Sequence, residues 1–163
     1  MKKYGIVAFA FGAPADILSN KLIAKIALEK AKMFNASVYT QRDILINGVE
    51  VEYAYEKSNN PSSTLRMARG AVDWAKRNGI EKIWIVAAKP HLWRCQRDLV
   101  QAVKESETAI KIHFFREIED YPEDLWFCLN STQQRTRSKK SWESREWILK
   151  LLPFNIYKLI ANR

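Results

Sequence analysis

Two cysteines, two histidines, five glycines and five prolines in 163 residues leave several common chemistries without their residues. Cys95 and Cys128 lie far apart and form no metal-type spacing, so two free thiols in a reducing compartment are expected. The sequence contains no P-loop, no Gly-x-Gly-x-x-Gly fingerprint, no Gly-x-Ser-x-Gly elbow and no His/Cys cluster, and no pattern names a cofactor. Long apolar runs are missing too, which excludes a bilayer-spanning segment of the usual length. Met1-Lys2-Lys3 leads straight into Tyr4-Gly5-Ile6-Val7, and Asp16 and Asn20 follow soon after, unlike a secretory leader. The expected compartment is therefore the cytoplasm. No repeat or low-complexity segment is present.

What remains is a globular composition, 47% hydrophobic and 28% charged, long enough for one domain with a substantial core over residues 1–163. The net charge of +9 is uneven: from Asn130 onward eight Lys/Arg stand against two Glu, a net of +6, and the rest of the chain carries only +3. Charge thus says more about the tail than about any pocket.

Tyr4 to Phe11 and Lys82 to Val86 are apolar runs of the kind buried on both faces of a parallel sheet. Between them, Asn20 to Phe34 has a helical apolar stripe with Asn20 as its cap and Asn35 closing it, and Ala36 to Thr40 reads as a second strand. Asn47-Gly48, set between alternating apolar residues, predicts a small β-hairpin, or an extended flap, over 44–53 near the sheet edge. Asn60 and Pro61 are expected to cap and open a helix whose Leu65, Ala68, Ala71, Val72 and Ala75 face inward, ending at Asn78-Gly79. A helix from Pro90 to about Lys104 and a strand over 109–115 follow. A short helix reaching Trp126-Phe127, a basic solvent-exposed loop over about 130–140 and a terminal helical segment over about 141–161 complete the chain. In that segment Trp142, Ile148, Leu149 and Leu152 are expected to pack on the sheet. The expected fold is α/β: a three-layer Rossmann-like sandwich with a mostly parallel sheet of four to five strands, helices on both faces and a small hairpin insertion.

The carboxyl end of a central strand is where open α/β sheets bind ligands. Ala87-Ala88-Lys89-Pro90 places His91 and Arg94 three residues apart on one face of a helix start, where an imidazole and a guanidinium can hold an anion. Arg97 continues that face, and Asp98 is a competing partner for Arg94. Ser62, Ser63 and Thr64, with Arg66, open the preceding helix and offer hydroxyls and free backbone N–H groups. Gly12, after the first strand, allows close backbone approach. Asp16 and Asp43 are the acidic candidates for a base or a cation ligand. His113, inside a strand, is expected to pack or to sit at an edge. Arg135, Arg137, Lys139 and Lys140 beside Trp142 and Trp147 form the alternative signal, a segment for nucleic acid or an anionic membrane surface.

Ile6 to Gly12, the Ser63-Thr64-Leu65-Arg66-Met67-Ala68 helix start and Ala87 to Cys95 together resemble three motifs of the YdcF/SanA/ElyC-like family, a domain of unknown function. Those motifs are a glycine-ended opening strand, Asn-Thr-x-Glu-Asn-Ala and Thr-Ser-x-x-His-x-x-Arg-Ala. Thr64, Ala68, His91 and Arg94 are kept at the family spacing, and Arg145-Glu146-Trp147 is similar to its closing helix. The departures are equally specific. Gln41-Arg42-Asp43 replaces a Gly-Gly, Arg66 and Met67 replace Glu and Asn, and Ala87-Ala88 replaces Thr-Ser. Family links to envelope integrity, cell-wall precursor metabolism and, in one case, S-adenosylmethionine have no residue here that carries them over.

These readings lead to two expectations. The first is a small anionic ligand, phosphorylated or nucleotide-like, held by Gly12, Ser63, Thr64, Arg66, His91 and Arg94. Any reaction there is transfer or hydrolysis at a phosphate-like centre, with His91 as acid and base. The second is a non-enzymatic interaction module that works through its basic C-terminal segment.

Overall fold

A computed structural model describes residues 3–56 and 63–161. The strands are β1 (Tyr4–Ala8), β2 (Ser37–Thr40), β3 (Val51–Tyr53), β4 (Lys82–Val86) and β5 (Lys111–Phe114), and they form one sheet in the order β3-β2-β1-β4-β5. Every pairing is parallel, with Ile6 beside Val38 on one side and Trp84 on the other. Central position explains the continuous apolar runs of β1 and β4, since both faces of each are covered. Ile6, Ala8, Val38 and Val86 pack into one layer with Ile23, Ile26, Ala27 and Ala31 of α1 (Leu18–Phe34). Val7, Phe9, Ile83 and Ile85 point the other way, onto α2 (Thr64–Arg77) and α3 (Lys89–Glu105). Each fully buried Val, Ile or Phe among them contributes about 1.5–3 kcal/mol. The sheet is a Rossmann-like three-layer sandwich whose strand order reverses between β1 and β4.

The hairpin expectation is overturned. Residues 41–50 form no strand; they run back beside β2 as an irregular crossover, and β3 then pairs parallel with β2 from Val38–Val51 to Thr40–Tyr53. Asn47-Gly48 does turn, with Gly48 at φ 86°, but Ile44 and Ile46 bury into the α1 layer instead of pairing in a ladder. Non-local packing of two isoleucines outweighs a local hairpin preference.

Asn20 is not a cap either. α1 starts at Leu18 after Ile17, and Asn20 lies fully buried in the first turn. There it accepts from the Phe11 N–H at 3.0 Å and donates to the carbonyls of Gly12 and Pro14 at 3.1 Å each. Asn35 closes the helix in the left-handed conformation, φ 47°, as expected. Asn60, Pro61 and Ser62 lie outside the described residues; the N-cap of α2 is Ser63, whose hydroxyl accepts from the Arg66 N–H.

After β5 the chain forms α4 (Glu117–Asp120), a 3-10 turn at Glu123–Leu125 and another at Gln134–Thr136. Two longer helices follow, α5 (Lys139–Leu151) and α6 (Phe154–Ala161). The segment from 130 to 140 is largely solvent-exposed, as expected, but it is anchored at two points. Ser131 and Thr136 are buried, joined by a 2.8 Å hydroxyl hydrogen bond, and Ala13 N donates to the same Ser131 oxygen. Trp142 and Leu149 are buried as expected, whereas Ile148 faces solvent.

Candidate functional site

The carboxyl ends of β1, β2 and β4 and the first turns of α2 and α3 surround an open cavity of about 570 Å³, flanked by the C-terminal segment. Gly12, Ser63, Thr64, Arg66, His91 and Arg94 all line it. The sheet explains this convergence. Residues that leave neighbouring parallel strands at the same end meet at the point where strand order reverses.

His91 is the centre of the arrangement. Pro90 occupies the first turn of α3, and His91 in the same turn projects between the rings of Phe9, Phe11 and Trp142, with centroids 6.3, 6.0 and 5.3 Å away. Its Nε2 lies 3.1 Å from the Thr64 hydroxyl, while Nδ1 is buried with no hydrogen-bond partner. Burial, then the positive charges of Arg94 and Arg145, push its pKa well below the ordinary 6.5, so the ring is neutral at pH 7. A neutral imidazole next to a hydroxyl can take up a proton from that hydroxyl or from a ligand.

Four arginines face the cavity: Arg66, Arg94, Arg135 and Arg145. Arg94 is engaged from above, its Nη1 2.8 Å from Oε1 of Glu146 on α5 and its guanidinium 5.0 Å from the Trp142 ring. Glu146 Oε1 and Arg94 Nε are buried with no hydrogen-bond partner among the described residues, so the contact is one of charge. Arg145 is half-buried, and burial followed by repulsion from Arg94 and Arg135 brings its pKa down to about 10. Neither Arg135 nor Arg145 has a carboxylate within ion-pair distance among the described residues. Asp43 is the cavity's acidic side chain, its carboxyl pushed up by burial and then by Glu56. Asp16 is exposed and outside the cavity lining. Excess positive charge in a partly desolvated pocket favours an anion.

Two further sequence expectations resolve into structural roles. Gly12 takes φ 91°, but the space a Cβ would fill is occupied by Ser131 Oγ and Thr136 Oγ1, each 2.7 Å from that point. The close approach it permits is to the C-terminal segment. Ser63 caps α2 and also donates to the Ala161 carbonyl, tying α6 to the cavity rim. Arg97 pairs with Asp98, which also accepts from the Tyr157 hydroxyl, a second tie between α3 and α6. His113 stacks on Trp84 with centroids 4.9 Å apart, away from the cavity. Arg137 donates to the Ser131 carbonyl and Lys139 pairs with Glu123, so these two cations hold the segment in place.

Sequence reasoning missed Arg145, Gln133, Gln134 and Tyr157 in the cavity wall; Arg135 is exposed, as expected of the basic loop, and also reaches the cavity. The available signal was the +6 tail of a chain whose sheet loops carry few charges. Among the described residues no group of three His, Cys, Asp or Glu is placed to hold a metal, and no helix is long and apolar enough to cross a membrane. No protein-family model and no curated protein sequence matches the chain.

Proposed function

We propose that this chain binds a small anionic ligand, phosphorylated or nucleotide-like, in the cavity between β1 and β4, as a divergent member of the YdcF-like group. The observation that carries this reading is the guanidinium charge of Arg135 and Arg145, unpaired among the described residues, beside the neutral His91 and the α2 N-terminus. Arg145 and Arg135 supply charge, Thr64 and the first turn of α2 supply donors, and the Phe9, Phe11 and Trp142 rings limit water. A reaction in this setting is transfer or hydrolysis at a phosphate-like centre. His91 Nε2 takes a proton from the attacking hydroxyl or water and returns it to the leaving oxygen. Thr64, His91 and Arg94 meeting at one cavity supports the family resemblance, since these are the motif positions the sequence retains.

The test is thermal unfolding of the full chain with inorganic phosphate, pyrophosphate or ADP, and with adenosine as the uncharged control. A probe at a hundred times its Kd should add about 2.7 kcal/mol, a rise of roughly 5–10 °C at this size. Arg145→Gln with Arg135→Gln should remove the rise while leaving the unliganded midpoint within a few degrees. No rise with any phosphorylated probe, or one that survives in the variant, overturns the reading.

A further inference from the structure

The cavity and its ties account for the inner faces of α5 and α6 but not for their outer faces. α5 buries Trp142, Glu146 and Leu149 at helical spacing. Its opposite side presents Trp147, Ile148 and Leu151, exposed by 66, 60 and 75%. α6 buries Tyr157 and Ala161 and presents Ile156 and Leu159, with Leu159 exposed by 71%. Five large apolar side chains on the outward faces of two consecutive helices are not the scattered exposure of an ordinary surface.

Their setting is cationic. Lys140 lies seven residues before Trp147, on the same side of α5, and is exposed. Lys150 sits 5.2 Å from the ring centroid of Trp93, itself partly exposed on α3. Residues 130–163 carry a net of +6. Tryptophan and branched aliphatics flanked by lysine make up an amphipathic segment lying in the interface of a bilayer. A second copy docking by the same faces would bring the Lys140 and Lys150 cations of both copies together, whereas an anionic surface neutralises them.

We propose that α5 and α6 dock by these outer faces on an anionic lipid surface. Leu149 and Ile160, from the inner sides of the same helices, line the cavity, so docking holds it about one helix diameter, roughly 10 Å, from that surface.

The experiment is flotation of the full chain with vesicles of equal parts phosphatidylglycerol and phosphatidylcholine, and with phosphatidylcholine alone, at about 0.1 M salt. The chain should float with the first and stay behind with the second. Trp147→Ser with Leu151→Ser keeps every charge and alters only exposed side chains, so its melting midpoint should be unchanged. Its partitioning should fall by about tenfold or more. Absence of flotation with the anionic vesicles overturns the proposal. So does equal flotation of the variant, which would reduce binding to charge alone. A wild-type dimer in sedimentation that the variant dissociates also overturns it, by assigning the faces to a second copy.

Discussion

Replacing Glu146 by glutamine should destabilise the fold out of proportion to the change in shape. Glu146 and Arg94 have side chains only 6 and 7% exposed, with oxygen and nitrogen 2.8 Å apart. At an effective dielectric constant near 20, Coulomb's law gives about 6 kcal/mol of attraction at that distance. The desolvation cost of burying both ions opposes it, several kcal/mol for each. Burial outweighs the neighbouring arginines at Glu146 and pushes its carboxyl pKa up, so the pair is near balance. Removing one charge removes the attraction and leaves the cost of the other. Glu146→Gln should therefore lose about 3–5 kcal/mol, whereas Arg94→Met with Glu146→Leu should lie within about 1–2 kcal/mol of the parent. Urea unfolding at pH 7 reads both. At this chain length the single variant's melting midpoint should drop by roughly 6–20 °C. A single variant as stable as the double would refute charge compensation. Glu146 would then act only as a shape under Trp142.

Two other perturbations test the centre of the site. His91 has a depressed native pKa, so its contribution to stability is complete above the ordinary value of 6.5 and is lost as pH falls from there toward the native value. The stability gap between the parent and His91→Gln, from urea unfolding, should move by about 1.4 kcal/mol against the parent between pH 7.5 and 5.5. A gap that does not change with pH would mean the ring protonates in place. Gly12→Ala forces a Cβ into φ 91° and within 2.7 Å of Ser131 and Thr136, so it should cost about 2–5 kcal/mol. A loss under about 1 kcal/mol would show that the 131–136 segment yields easily.

The sheet was legible because its signals are local and agree with one another. The apolar runs of β1 and β4, the inward stripe of α2 and the proline at the start of α3 each demand the element that forms. His91, Arg94 and Thr64 were legible for the same reason: each sits at a strand-end or helix-start position whose location follows once the strands are placed. The errors share a different cause. Asn20 is an excellent cap by type, but its amide is used to fasten the loop after β1, a contact set by the path of Phe11 to Pro14. Asn47-Gly48 turns without making a hairpin, because Ile44 and Ile46 find a buried place under α1. The destination of the basic tail was the least legible feature. Glu146 reaches Arg94 across 52 positions and Tyr157 reaches Asp98 across 59, and no local pattern encodes either contact.

That tail changes what kind of site the sheet carries. The strand ends and helix starts supply aromatic rings, hydroxyls, Arg66 and the occupied Arg94, but Arg135 and Arg145, without an ion-pair partner among the described residues, come from the segment laid across the mouth. The segment is held by contacts that start on the elements forming the cavity floor: Arg94 to Glu146, Asp98 to Tyr157, Ser63 to the Ala161 carbonyl and Pro90 to the Trp142 indole. Binding an anion between Arg145 and the α2 start would add one more tie across the same boundary. Ligand affinity and the packing of α5 and α6 over the cavity would then be linked quantities: a substitution that releases the segment completely would weaken the ligand by the free energy with which the ligand tightens the segment.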